Sequence, residues 1–142
     1  MATSLNTVDA LVQLSFQIQR VLAAVGAPYD LSIVQIRLLG VLRDRQAGMV
    51  ELGGHLGLDK SSMTGLVSRA EKRGLVQRTP SPYDGRAVLV SLTDEGRRVA
   101  AEGGAEIGRR ILALTEHLTP QARATLTELA ASLIHPPAAN DA

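Results

Sequence analysis

Residues 59–78 read DKSSMTGLVSRAEKRGLVQR, residues 79–86 TPSPYDGR and residues 87–92 AVLVSL, and the change of period along this stretch decides the fold. In the first block Met63, Leu66, Val67 and Ala70 recur at helical spacing and form one apolar stripe. The rest of that helix carries Ser61, Ser62, Thr64, Gly65, Ser68, Arg69, Lys72 and Arg73, with Glu71 as its acid. Short hydroxyl side chains let a helix backbone sink into a major groove and can bond phosphates or base edges. Gly65 either permits close approach to a base pair or is a tolerated flaw in the helix. Gly74 is the expected stop. Residues 75–78 and 87–92 are aliphatic and β-branched and read as strands. The two prolines and Asp84-Gly85 between them make a loop longer than a tight turn needs, suited to a projecting wing. Arg86 stands where the loop returns, and Asp84 is placed to hold its guanidinium by a charge-assisted bond. An arginine held there suits a narrow, negatively charged minor groove, and the plainer alternative is an Asp–Arg pair that rigidifies the hairpin.

Upstream, Leu11, Leu14, Ile18, Leu22 and Val25 predict a first helix ending at Gly26. Ser32 and Gln35 form a capping box for a second, which carries Ile36, Leu39 and Leu42 inward and ends near residues 45–48. Residues 50–56 are a short helical segment, Gly57 supplies a turn, and Asp59 caps the helix that follows. Two short helices joined through a glycine are the helix-turn-helix pattern. Gly53 and Gly54 either permit close helix packing or shorten their helix. Downstream, Thr93 caps a helix expected to run to Leu118, about 25 residues or roughly 37 Å. Gly103, Gly104 and Gly108 soften it, through a bend or the close approach of another helix. Thr119 and Pro120 start a last helix with its stripe at Ala122, Leu126, Leu129 and Leu133, stopped by His135-Pro136-Pro137. The expected fold is mainly α, an α+β winged helix-turn-helix with about six helices and a β-hairpin wing.

Of 142 residues, 45% are hydrophobic and 20% charged, which places the chain among soluble globular proteins. Its net charge of +1 is unevenly spread. Between residues 60 and 90, Lys60, Arg69, Lys72, Arg73, Arg78 and Arg86 face only Glu71 and Asp84, so the remainder is mildly acidic. Such segregation suits a phosphate-binding face, or is a solvated surface basic by chance. The absence of cysteine removes disulfides, thiolate metal sites and thiol redox sensing. The scattered His55, His117 and His135 make no metal cluster, and no cofactor is implied. No apolar run approaches the roughly 20 residues of a membrane helix, and no signal pattern opens the chain, so the expected compartment is the cytoplasm, with no membrane partner. Phe16, Tyr29 and Tyr83 are too few for a stacking platform on single strands or RNA. Tyr29 is a candidate pocket residue or an anchor at a helix turn. No phosphate-binding glycine loop, nucleophile elbow or zinc-helix motif occurs, so an enzyme is not expected.

Residues 66–76 (LVSRAEKRGLV) and 84–96 (DGRAVLVSLTDEG), at this spacing, resemble the MarR family, the multiple antibiotic resistance regulators. The resemblance covers residues 8–133. It implies one MarR-like domain over 1–142, with dimerisation helices at 8–30 and 94–134, a DNA-binding lobe at 32–92 and a disordered tail at 136–142. It further implies a homodimer on a pseudo-palindrome in double-stranded DNA, most often a repressor released by a small aromatic or phenolic ligand. Carried over by position, the resemblance implies that Ser61, Ser62, Thr64, Gly65, Ser68 and Arg69 enter the major groove, with Lys72 and Arg73 on the same DNA-binding face, and that Arg86, braced by Asp84, enters the minor groove. Ser81 stands where the family often has an acid, and Gly65 where it often has arginine. The alternative is a helical interaction module, or a ligand-independent regulator with a degraded wing.

Overall fold

The computed structural model describes residues 4–138. The chain forms two compact units, residues 1–108 and 109–142. In the first, α1 (Thr7–Gly26) is capped by Asn6, whose side chain accepts from the Asp9 N–H at 2.8 Å. A 3-10 turn, Ala27–Tyr29, leads to α2 (Ile33–Leu42). The Ser32–Gln35 capping box forms as expected: the Ser32 N–H donates to Gln35 Oε1 at 2.9 Å, and the Gln35 N–H to Ser32 Oγ at 3.3 Å.

Beyond α2 lies a two-residue strand, β1 (Ala47–Gly48), then α3 (Met49–Leu56) and α4 (Lys60–Lys72). β2 (Val76–Pro80) and β3 (Val88–Leu92) follow, then α5 (Asp94–Ala113). The sheet is antiparallel with order β1-β3-β2; Ala47 pairs with Val90, and Val76 with Leu92. The expected hairpin is therefore two strands of a three-stranded sheet. β1 is too short to show any alternation, which hides it in the sequence.

The core of this unit gathers the inner faces of α2, α3, α4, the three strands and the start of α5 around the helix-turn-helix. Leu38, Leu39 and Leu42 of α2, Leu52 and Leu56 of α3, and Met63, Leu66, Val67 and Ala70 of α4 pack with Val76, Val90, Leu92 and Val99. No polar or charged residue is buried among the described residues. Between α3 and α4, Gly57 is left-handed at φ 66°, and the Leu58 N–H donates to Gly53 O at 3.0 Å. A Cβ on Gly53 would stand 3.0 Å from the Leu58 carbonyl oxygen, so this glycine serves the tight helix-turn-helix corner.

Two expectations are corrected. α5 ends at Ala113, after 20 residues, because i→i−3 bonds such as Leu114 N–H to Ile111 O (3.1 Å) tighten and stop the helix. α1 is long and apolar enough to cross a membrane by length and composition alone. Asp9, Gln13, Ser15, Gln17, Gln19 and Arg20 split it into short apolar runs, which conceals the average character of the whole helix.

In the second unit, Thr119 Oγ1 accepts from the Ala122 N–H at 3.1 Å and starts α6 (Pro120–Ile134) as expected. Residues 136–138 carry no regular structure, and residues 139–142 of the expected tail lie outside the described residues.

Candidate nucleic-acid interface

α4 begins at Asp59, whose carboxylate accepts from the Ser62 N–H at 2.7 Å. That bond to Ser62 holds the Asp59 carboxyl below its ordinary pKa, since an ionised acceptor is favoured at the positive end of a helix. Ser61, Ser62, Thr64, Arg69 and Lys72 lie exposed along α4, while Gly65 and Ser68 are half-buried. Thr64 Oγ1 turns back to donate to Lys60 O at 2.9 Å. Ser68 Oγ accepts from Arg78 Nη2 at 3.0 Å, and Arg78 Nε lies 3.5 Å from Glu71 Oε1. Arg78 thereby neutralises Glu71 and ties α4 to β2. Period two places Arg78 on the same side of β2 as buried Val76, which is the sequence signal for this tie.

Arg73 is exposed, but its guanidinium is engaged within the fold. It is the C-cap residue of α4 (φ −83°, ψ 0°), and its guanidinium donates to Asp30 O at 2.6 Å and to Tyr29 O. From the same turn the Tyr29 hydroxyl donates to Glu102 Oε2 of α5 at 2.9 Å, and this bond raises the Tyr29 pKa. Tyr29 is thus an anchor at a helix turn. Arg98 bonds both Glu95 and Glu102; these bonds keep its own pKa raised and that of Glu95 lowered.

The wing is braced mainly through its backbone. The Ser81 N–H donates to Ala87 O at 2.9 Å, and the Ala87 N–H to Asp84 O at 3.0 Å. Ser81 Oγ accepts from the N–H groups of Tyr83 (3.2 Å) and Asp84 (3.3 Å), so a hydroxyl supplies bracing where an acid was expected to be missed. Asp84 Oδ1 accepts from the Arg86 backbone N–H at 3.0 Å. That corrects the expected guanidinium bond: Asp84 shapes the turn and leaves the Arg86 side chain exposed, without an intramolecular partner among the described residues. Tyr83, read from the sequence only as one of three aromatics, stands 96% exposed at the tip.

At the base of the wing, Thr93 Oγ1 donates to Gly74 O (2.5 Å) and accepts from the Gly96 N–H (3.0 Å). Gly96 lies so close to the chain at Leu75 that a Cβ there would stand 1.9 Å from the Leu75 carbonyl oxygen. Among the described residues no group of three or more acids and histidines is placed to hold a metal.

Comparison with known proteins places this geometry. A sequence model of the MarR family matches residues 29–87. The multiple antibiotic resistance protein MarR of Escherichia coli K12 is 32% identical over 105 residues, covering 72% of this chain and 73% of that protein. A mutant E. coli MarR complexed with operator DNA superposes with a TM-score of 0.74 at 28% identity, covering 89% of this chain and 91% of the other. NadR in complex with 4-hydroxyphenylacetate gives 0.79 at 25% identity, covering 96% and 98%. With a winged helix-turn-helix whose α4 and wing both present unengaged cations, the chain belongs to the MarR family of DNA-binding transcriptional regulators.

Proposed function

We propose that the protein acts as a homodimeric, cytoplasmic repressor that holds a pseudo-palindromic operator and is released by a small phenolic or aromatic ligand. The observation that carries this reading is the division of labour among its cations. Arg73 and Arg78 are engaged within the fold, whereas Lys60, Arg69 and Lys72 on α4 and Arg86 on the wing have no intramolecular partner among the described residues. With Glu71 neutralised, the face is positive where a phosphate backbone would lie. In this reading Ser61, Ser62, Thr64, Gly65, Ser68, Arg69 and Lys72 form the major-groove side, and Arg86, on the turn shaped by Asp84, the minor-groove side. Exposed apolar side chains on α1 and on α6 support a second copy as partner. The phenolic ligand bound by NadR supports the ligand class. A degraded wing loses its motive, because Ser81 supplies the bracing.

The test is a gel shift with the region upstream of the protein's own coding sequence, over a salt series. Binding is expected to fall steeply with salt and to need two half-sites about one helical turn, ~34 Å, apart. Affinity that is absent or independent of salt overturns the DNA-binding role. A thermal-shift series with 4-hydroxyphenylacetate and related phenolic acids tests the ligand, which raises the melting temperature if it binds the native state. Release from DNA by the same compound separates a repressor's inducer from a bystander.

A further inference from the structure

We propose that Arg69, seated in the space left open by Gly65, is the guanine-reading side chain of α4, and that the Gly65–Arg69 pair sets the sequence preference of each half-site. This rests on the DNA-binding reading above. The other polar groups at the centre of the face are already engaged: Thr64 Oγ1 donates to the helix backbone, Ser68 Oγ accepts from Arg78, and Glu71 pairs with the same arginine. Arg69 is exposed and its guanidinium has no intramolecular partner among the described residues. Its donors remain available to a ligand.

The guanidinium also has a definite place. A Cβ built on Gly65 would meet Arg69 Nη1 at 3.0 Å and Cζ at 3.9 Å, so the side chain lies back over the glycine, one turn nearer the helix start. Long helical side chains lean in that direction, but only an unoccupied position lets the head group settle against the backbone. Gly65 has no positive φ to require glycine, and glycine inside a helix is less stable than alanine. The room it gives Arg69 is a physical reason for it. A planar fork of N–H donors held there matches the O6 and N7 acceptors that guanine presents in the major groove. Lys60 and Lys72, at the two ends of α4, are compact flexible charges suited to phosphates, which carry no sequence information.

The experiment uses the full chain to enrich a random library of duplexes about 30 bp long, enough for two half-sites one helical turn apart. Each guanine of the enriched half-site is then replaced singly by 7-deazaguanine, which removes the N7 acceptor and keeps the base pair. For the natural protein, one guanine position is expected to lose roughly tenfold in affinity. Gly65→Ala and Arg69→Lys should each abolish that sensitivity, and the double variant should behave as Arg69→Lys alone, since both act on one interaction. Gly65→Ala should melt no lower than the natural protein, because only the far end of a flexible side chain must move. Guanines insensitive to 7-deaza replacement, or equally sensitive in Gly65→Ala, overturn the inference and leave the DNA-binding reading standing. Failure to enrich any sequence overturns both.

Discussion

Glycine-to-alanine changes at two positions of this chain should act with opposite sign. At Gly96 the new methyl would meet the Leu75 carbonyl oxygen at 1.9 Å and its carbon at 2.9 Å, and backbone cannot step aside as a side chain can. Gly96→Ala should therefore destabilise by on the order of 3 kcal/mol in urea unfolding. At Gly54, inside α3, a Cβ meets nothing within 4 Å, and Gly54→Ala should stabilise by about 1 kcal/mol. Equal effects at the two sites would refute the packing account. The sequence shows both glycines in helical contexts, yet nothing local separates them, because the atom that forbids alanine at position 96 belongs to a residue 21 places earlier. Asp59, by contrast, was legible as a cap from its own neighbours. Its folded pKa is depressed below 3.8, so the ionised cap stabilises the native state fully above that pH, and the contribution is lost as pH falls through the folded value. Asp59→Asn keeps an acceptor but does not titrate. Its stability should follow pH less steeply than the natural protein's below about pH 4; identical slopes would mean that the carboxylate adds nothing to the cap.

At the scale of elements, α4 is held by two arginines, of which a helical wheel groups only Arg73 with its polar side. Arg73 is the C-cap, with ψ at 0°, and its side chain turns to the Tyr29–Asp30 carbonyls, a placement that the helical wheel does not show. Arg78 lies outside the helix altogether and reaches α4 from β2. Helix positions, the capping box and the wing were legible because each depends on contiguous residues, whereas these ties depend on segments 10 to 44 residues apart. A distinction follows that solution measurements can check. Arg73→Ala should lower stability by about 1 kcal/mol, the scale of an exposed charge-assisted bond, and leave the salt slope of DNA binding unchanged. Arg86→Ala should leave stability within about 0.5 kcal/mol and reduce the salt slope by about one, as the loss of a single phosphate-seeking cation does. If Arg73→Ala lowers the slope as Arg86→Ala does, its bonds to the turn are exchanged for DNA on binding, and the structural role assigned here is wrong.

For the whole molecule, the apolar stripes read from the sequence at both ends are real, but the first half of the α1 stripe and most of the α6 stripe stay uncovered in the single chain. On α1 the stripe is open at its start, with Leu11 47% and Leu14 39% exposed, and covered toward its end, where Ile18 and Leu22 are half-buried and Val25 buried; on α6, Leu129 is 60% and Leu133 67% exposed. Periodicity tells that a face must be covered, but not whether the cover comes from the same chain, so the sequence alone left this point to the family resemblance. Scattered apolar residues are ordinary at a surface, whereas stripes along whole helices mark an interaction face. The proposed dimer makes this a measurable claim about DNA as well as about mass. Leu129→Glu with Leu133→Glu changes only side chains already in solvent, so the single chain should keep its helical content while sedimenting as a monomer at micromolar concentration. Two linked half-site contacts reinforce each other through effective concentration, so the monomer should bind its full operator about a hundredfold or more weakly, while affinity for an isolated half-site changes little. Arg86→Ala should do the reverse, staying dimeric and weakening full site and half-site together. A Leu129→Glu/Leu133→Glu protein that remains dimeric would remove α6 from the interface. One that is monomeric yet holds the full operator as tightly as the natural chain would show that dimerisation does not couple the two recognition helices.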